Sequence, residues 1–118
     1  MILKIDLTWL LDIAQHEVPG DPEVVDWGSL EAGRARHCFQ VMDTPVYDQA
    51  RHRAAALLQQ FVLIPALEHS NELFAAAVAA AYLHASGLPV SVTTKEAADL
   101  VQQVAGRQLA VALKEWTD

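Results

Sequence analysis

Leu57-Leu58-Gln59-Gln60-Phe61-Val62-Leu63-Ile64-Pro65-Ala66-Leu67-Glu68-His69-Ser70-Asn71-Glu72-Leu73-Phe74-Ala75-Ala76-Ala77-Val78-Ala79-Ala80-Ala81-Tyr82-Leu83-His84-Ala85-Ser86-Gly87 is the stretch on which the fold turns. It reads as two apolar helices separated by the polar break from Pro65 to Glu72. The run from Leu73 to Leu83 is apolar on every side, which marks a helix buried within a protein or inserted in a membrane. A membrane span needs about 20 uninterrupted apolar residues. Pro65 and the run from Glu68 to Glu72 cut this stretch into halves that are too short. The second half is therefore expected to be the central helix of a soluble bundle, its alanine faces admitting close neighbours. Gly87 and Pro89 supply its stop signal.

Outward from this stretch the chain continues in helical periods. Met1 to Ile5 suits a short strand or an extended arm. Asp6 or Thr8 can cap a helix that runs roughly to Glu17, with Leu10, Ile13 and Ala14 at core spacing. Two prolines and a glycine make the segment from Val18 to Pro22 a loop, which Trp27 and Gly28 close. Ser29 then reads as the cap of a helix from Leu30 to about Phe39, weakened by Gly33 by about 1 kcal/mol relative to alanine. The stretch from Met42 to Pro45 is a second loop. A helix from about Tyr47 to Ile64 follows, with Leu57, Leu58, Phe61 and Val62 on one face, and Pro65 ends it.

Beyond Gly87, the residues from Pro89 to Val92 suit an extended piece. Thr93-Thr94-Lys95-Glu96 has the pattern of a capping box, with Ala97, Leu100, Val101 and Val104 at the core spacing expected of a helix behind it. Leu109, Ala112, Leu113 and Trp116 repeat that spacing in a last helix. The expectation is a mainly α, compact bundle of about six helices in one domain over residues 1–118, with room for one short strand or hairpin.

Composition narrows the function classes. A chain of 118 residues with 53% hydrophobic and 19% charged residues has enough apolar surface for one core. The net charge of −7 opposes direct binding to nucleic acid, which needs a cationic face. The single Cys38 cannot form an internal disulfide and suits a reducing cytoplasm. The start of the chain lacks the basic-then-apolar layout of a secretory signal, since Lys4 and Asp6 interrupt it. Three tryptophans suggest more apolar surface than a monomer buries, hence a permanent partner.

The candidate chemistry is sparse. His16, His37, His52, His69 and His84 show no metal-ligand spacing, so no zinc site is expected. His37-Cys38 and Glu68-His69 are sequence neighbours, an arrangement unsuited to a catalytic pair, and Cys38 reads as packed. Arg34, Arg36, Arg51 and Arg53 form the only dense cationic group and read as a solvated face, or one that meets an acidic partner.

The order of these features resembles the Fic/Doc superfamily, and within it the short Doc-like toxins of bacterial type II toxin–antitoxin modules. An Arg/Ala-rich helix (Arg51-His52-Arg53-Ala54-Ala55-Ala56-Leu57-Leu58) leads to the motif loop, and a long apolar helix ends in Gly87. The segment from Thr94 to Val101 and the close Ala105-Gly106-Arg107 complete the likeness over nearly the whole chain. The family motif has a His, then an apolar residue two places on, an acid, a small residue, an Asn and basic residues. Counted back from Gly87 without gaps, Pro65 stands at the His and Leu67 keeps the apolar anchor. His69 replaces the acid, Ser70 the small residue, and Glu72 and Leu73 the basic pair. Asn71 alone matches a position with a direct chemical role.

Physical chemistry bears on those replacements without reference to the family. The motif's chemistry needs a base and a cationic cradle for phosphates at a helix N-terminus. Proline takes no proton, and Glu68 and Glu72 set negative charge where phosphates would sit. No Lys or Arg occurs between Arg53 and Lys95. Glu72 instead suits the helix dipole by itself. Two readings stay open for His69, a displaced base or a polar loop residue, and two for Asn71, a ligand-orienting remnant or a fastener of the loop.

The resemblance implies a toxin-family protein whose catalytic motif is degenerate, with no cofactor expected. It also implies a hetero-oligomer with a Phd-like cognate antitoxin that binds DNA through its own N-terminal part. The alternative is an active enzyme of the family, transferring AMP or phosphate from ATP with magnesium to a protein hydroxyl.

Overall fold

The computed structural model describes residues 2–88. They form helix α1 (Leu7–Glu17), helix α2 (Trp27–His37), strands β1 (Gln40–Val41) and β2 (Thr44–Pro45), helix α3 (Ala50–Leu63) and helix α4 (Asn71–Ala85). The fold is mainly helical, as the periodicity predicts. Four of the expected six helices have counterparts among the described residues. The extended piece after Pro89, the capping-box helix and the helix ending at Trp116 lie outside them, as does the part of the family likeness from Thr94 to Arg107.

Asp6 caps α1 by accepting a hydrogen bond from the Trp9 N–H at 2.9 Å, which settles the choice between Asp6 and Thr8. Leu10 and Ala14 are buried on the helix's inner face, with Ile13 partly buried at its edge. The preceding arm has no regular secondary structure and pairs with no strand among the described residues. It is held by side chains instead. Ile5 N–H donates to His37 Nε2 at 3.1 Å, and Tyr82 Oη donates to the Leu3 carbonyl at 2.6 Å.

α2 departs from expectation at its start. Its cap is Asp26, whose carboxylate accepts from the Ser29 N–H at 3.0 Å, so Trp27 and Gly28 belong to the helix rather than to the loop. Ser29 is buried, and its hydroxyl donates to the Ile64 carbonyl at 2.5 Å, a bond across 35 residues that outcompetes local capping. Gly33 is also more than a weak helix former. A Cβ at this position would lie 2.5 Å from Phe61 Cζ and 2.8 Å from its Cε1. The missing side chain lets α2 approach the Phe61 ring of α3.

The loop expected from Met42 to Pro45 is a two-residue hairpin turn with paired flanks, Gln40 opposite Pro45 and Val41 opposite Thr44. Met42 (φ 51°) and Asp43 (φ 66°) both adopt the left-handed conformation that matches the twist of hairpin strands. The Val46 N–H donates to the Phe39 carbonyl at 3.0 Å and continues the hairpin pairing one residue past Pro45, after which the chain bends at Val46 and Tyr47. α3 therefore begins at Ala50, later than the expected Tyr47, and ends at Leu63, just before Ile64 and Pro65.

α4 begins earlier and ends later than the apolar run suggests. It packs against α3 and α1 and buries Phe74, Ala75, Ala76, Val78, Ala79, Tyr82 and Leu83. Leu73, Ala77, Ala80 and Ala81 keep partial exposure. The Phe61 and Phe74 rings meet at 5.2 Å and join α3 to α4. Gly87 takes φ 85°, its N–H donating to the His84 carbonyl, while the Leu88 N–H donates to Leu83. This is the left-handed glycine stop that the sequence implies.

The arginines correct the sequence reading most sharply. Arg53 is buried, with 5% of its surface exposed. Its Nε donates to Tyr82 Oη at 2.6 Å and its Nη1 to the Tyr47 carbonyl at 3.0 Å. Arg36 donates to Tyr47 Oη and Gln59, and Arg34 pairs with Glu31 on its own helix. The four arginines thus do not make one solvated face. Tyr82→Phe removes a hydroxyl that accepts from Arg53 and donates to Leu3. Such a buried bridge is worth about 1–3 kcal/mol, and urea unfolding of the variant should show a loss of that size with an unchanged m-value.

Candidate functional site

The polar break between α3 and α4 is a tight loop fastened to the segment before α2. Val24 and Leu67 form an isolated antiparallel bridge. The Val25 and Asp26 N–H groups both donate to the Ala66 carbonyl, at 2.7 and 3.1 Å. Glu68 N–H donates to the Glu23 carbonyl at 3.0 Å, and Glu23 N–H donates to Glu68 Oε1 at 3.0 Å. Ala66 and Leu67 are buried beneath this ladder, whereas Pro65, Glu68, His69 and Ser70 are exposed.

Asn71 is the fastener inside the loop. Its Oδ1 accepts from the Ala66 N–H at 3.0 Å and the Leu67 N–H at 2.9 Å, while its Nδ2 donates to the Leu67 carbonyl at 2.9 Å. Both polar atoms of the amide are thus turned onto the loop backbone. Ser70, in the left-handed conformation at φ 62°, forms the corner into α4 and makes no capping bond with its side chain. Glu72 lies in the first turn of α4 and is exposed, and Leu73 is partly buried.

The remaining candidates are dispersed. His69 Nδ1 lies 2.8 Å from Ser70 Oγ, and Glu68 turns to the Glu23 backbone, so Glu68 and His69 share no bond. The His69 ring also flanks Gly20, where a Cβ would meet Cε1 at 3.5 Å. No group of three or more His, Cys, Asp or Glu among the described residues could hold a metal ion. No helix among them is long and apolar enough to cross a membrane.

His37 and Cys38 form no dyad. His37 is buried, and because a backbone N–H can only donate, its Nε2 must be the acceptor for Ile5. The ring proton then sits on Nδ1, facing the Arg34 carbonyl. Cys38 Sγ turns instead to the Arg34 and Ala35 carbonyls. The His37 ring meets Tyr82 edge-on at 5.8 Å. Burial holds the His37 pKa below its ordinary value of 6.5, reinforced by the charges of Arg34 and Arg53 and opposed by the bond to the Arg34 backbone. This role of His37, fastening the arm to α2, has no sequence signal, since its partner lies 32 residues away.

The linkage sign follows from the depressed pKa. The unfolded chain binds the His37 proton more readily, so this contribution to stability is intact above the unfolded pKa and is lost as pH falls below it. Stability should drop below about pH 6.5 with a His37-dependent slope of at most about 1.4 kcal/mol per pH unit. Denaturation midpoints between pH 5 and 8 should show this slope, and His37→Gln should flatten it.

Comparison with known proteins gives no match. No family model, curated protein or solved structure is similar to the chain at a significant level.

Proposed function

We propose that this chain is a Doc-like, toxin-family component of a bacterial toxin–antitoxin module, which binds a cognate antitoxin in the cytoplasm and has lost or reduced its transferase chemistry. The observation that carries the loss of chemistry is the commitment of Asn71. The one motif residue that the resemblance retains spends both polar atoms of its amide on Ala66 and Leu67. Pro65 at the position of the base cannot accept a proton. The loop and the first turn of α4 carry Glu68 and Glu72 and no Lys or Arg. A nucleotide triphosphate would meet negative charge there, with no base beside it. Exposed Trp27 and its apolar neighbours support a protein partner, and the net charge of −7 leaves DNA binding to that partner.

One geometric observation favours the alternative of an active AMP- or phosphate-transferring enzyme. His69 is exposed and within hydrogen-bond reach of Ser70 Oγ at the start of α4. Calorimetric titration with ATP and magnesium separates the two readings, with His69→Ala as a control that leaves the core intact. The proposal expects no heat at millimolar nucleotide and no growth arrest on expression. Micromolar binding, or growth arrest abolished by His69→Ala but not by Pro65→Ala, would establish the enzyme instead. A soluble monomer with no affinity for a co-expressed Phd-like antitoxin would sink the toxin-family reading.

A further inference from the structure

Two groups of large apolar side chains stand exposed among the described residues. Phe39, Val41, Met42 and Val46 belong to the hairpin and its flanks. Val25, Trp27, Leu63 and Ile64 belong to the opposite end of the α2–α3 pair, with exposures of 63%, 54%, 58% and 49%. The second group is drawn together by backbone. Ser29 Oγ binds the Ile64 carbonyl, and the Val25 and Asp26 N–H groups bind the Ala66 carbonyl, so the start of α2 abuts the end of α3. These bonds fix the segments that carry the patch, so its ordering cost is already met before any partner arrives.

Charge distinguishes the two groups. The segments bearing the second patch, residues 23–31 and 63–72, contain Glu23, Asp26, Glu31, Glu68 and Glu72 and no Lys or Arg. Glu31 is paired with Arg34, the nearest cation along α2. Asp26 and Glu68 accept backbone N–H bonds, which orient their carboxylates without neutralising them. The hairpin group has Arg36 and Arg51 as well as Asp43 and Asp48 near it in sequence, and so lacks a single sign. An apolar centre flanked mainly by one charge favours a partner of the opposite charge, because a partner of like charge would be repelled.

We infer that Val25, Trp27, Leu63 and Ile64 form a docking surface for a protein segment that carries large apolar anchors flanked by Lys or Arg. The inference deepens the proposed antitoxin binding and rests on that reading for the partner's identity, but the surface chemistry stands on its own. Trp27 is the aromatic anchor of the group, since aromatic residues dominate interface energetics. The acidic rim steers the basic flanks and makes the affinity fall with salt.

Selection of random 16-residue peptides displayed against the full chain tests this. Enriched peptides should combine aromatic or branched apolar residues with Lys or Arg. A synthetic peptide of the enriched sequence should bind at least tenfold more weakly to Trp27→Ser and to Ile64→Asp, and more weakly in high salt. Met42→Ser in the hairpin should leave binding unchanged, which separates loss of the patch from a general effect. Circular dichroism of each variant keeps folding in view, and these side chains are exposed enough to be changed without emptying the core. Enrichment of acidic peptides, or binding lost in Met42→Ser but kept in Trp27→Ser, would overturn the inference. So would a homodimer in sedimentation that Ile64→Asp dissociates, because the occupant would then be a second copy. An antitoxin that binds normally to Trp27→Ser and Ile64→Asp would remove this surface yet leave the proposed function standing. Basic apolar peptides that dock here while no antitoxin binds would do the reverse.

Discussion

Phe61→Ala is expected to unfold much of this domain's stability margin, costing about 3–5 kcal/mol. The ring is fully buried, meets Phe74 at 5.2 Å and fills the space that Gly33 leaves open on α2. Removing it empties the junction of three helices at once. The complementary change, Gly33→Ala, should also destabilise although alanine is the better helix former. Its Cβ would sit 2.5 Å from Phe61 Cζ, so the gain of about 1 kcal/mol in propensity is set against about 1–3 kcal/mol of overpacking. The pair should couple. Phe61→Leu in the Gly33→Ala background should recover part of the loss, and a double-mutant cycle in urea would read that coupling. Additive losses would mean that the ring and the glycine do not constrain each other.

Asn71→Ala carries the second large effect, about 3 kcal/mol, because it deletes three hydrogen bonds and leaves the Ala66 and Leu67 N–H groups without their acceptor. Asn71→Asp separates the two sides of the amide. The aspartate still accepts from both N–H groups but cannot donate to the Leu67 carbonyl, so it should lose less than alanine does. Hydrogen exchange at Ala66 and Leu67 should accelerate more in the alanine variant. Under the proposed loss of chemistry neither substitution alters nucleotide affinity, since there is none to lose. An Asn71 variant of undiminished stability would mean the loop is held by its ladder to residues 23–26 alone.

Leu67 is buried beneath the bridge to Val24. The two readings of Asn71 could not be separated along the chain, because an amide can hold a ligand or its own loop equally well. Only the positions of the Ala66 and Leu67 backbone decide. His69 and Glu68 look like a pair in sequence, yet the loop turns them to different partners, Ser70 and Glu23.

By itself the sequence determined the features governed by local rules. Periodic apolar residues set the inner faces of α1 and α3, Pro65 ended α3, and Gly87 closed α4, because each acts through bonds within a few residues. Tertiary structure decided whatever depended on a distant partner. Ser29 gave up capping to reach Ile64, 35 residues on, and Asp26 took its place. Arg53 left the expected solvated face because Tyr82 offers a buried acceptor, and Tyr82 in turn donates to Leu3, 79 residues away. The hairpin formed because Met42 and Asp43 accept left-handed backbone that their residue types only weakly announce. Periodicity reports which face is apolar, but a buried polar side chain finds its partner only after the helices have packed.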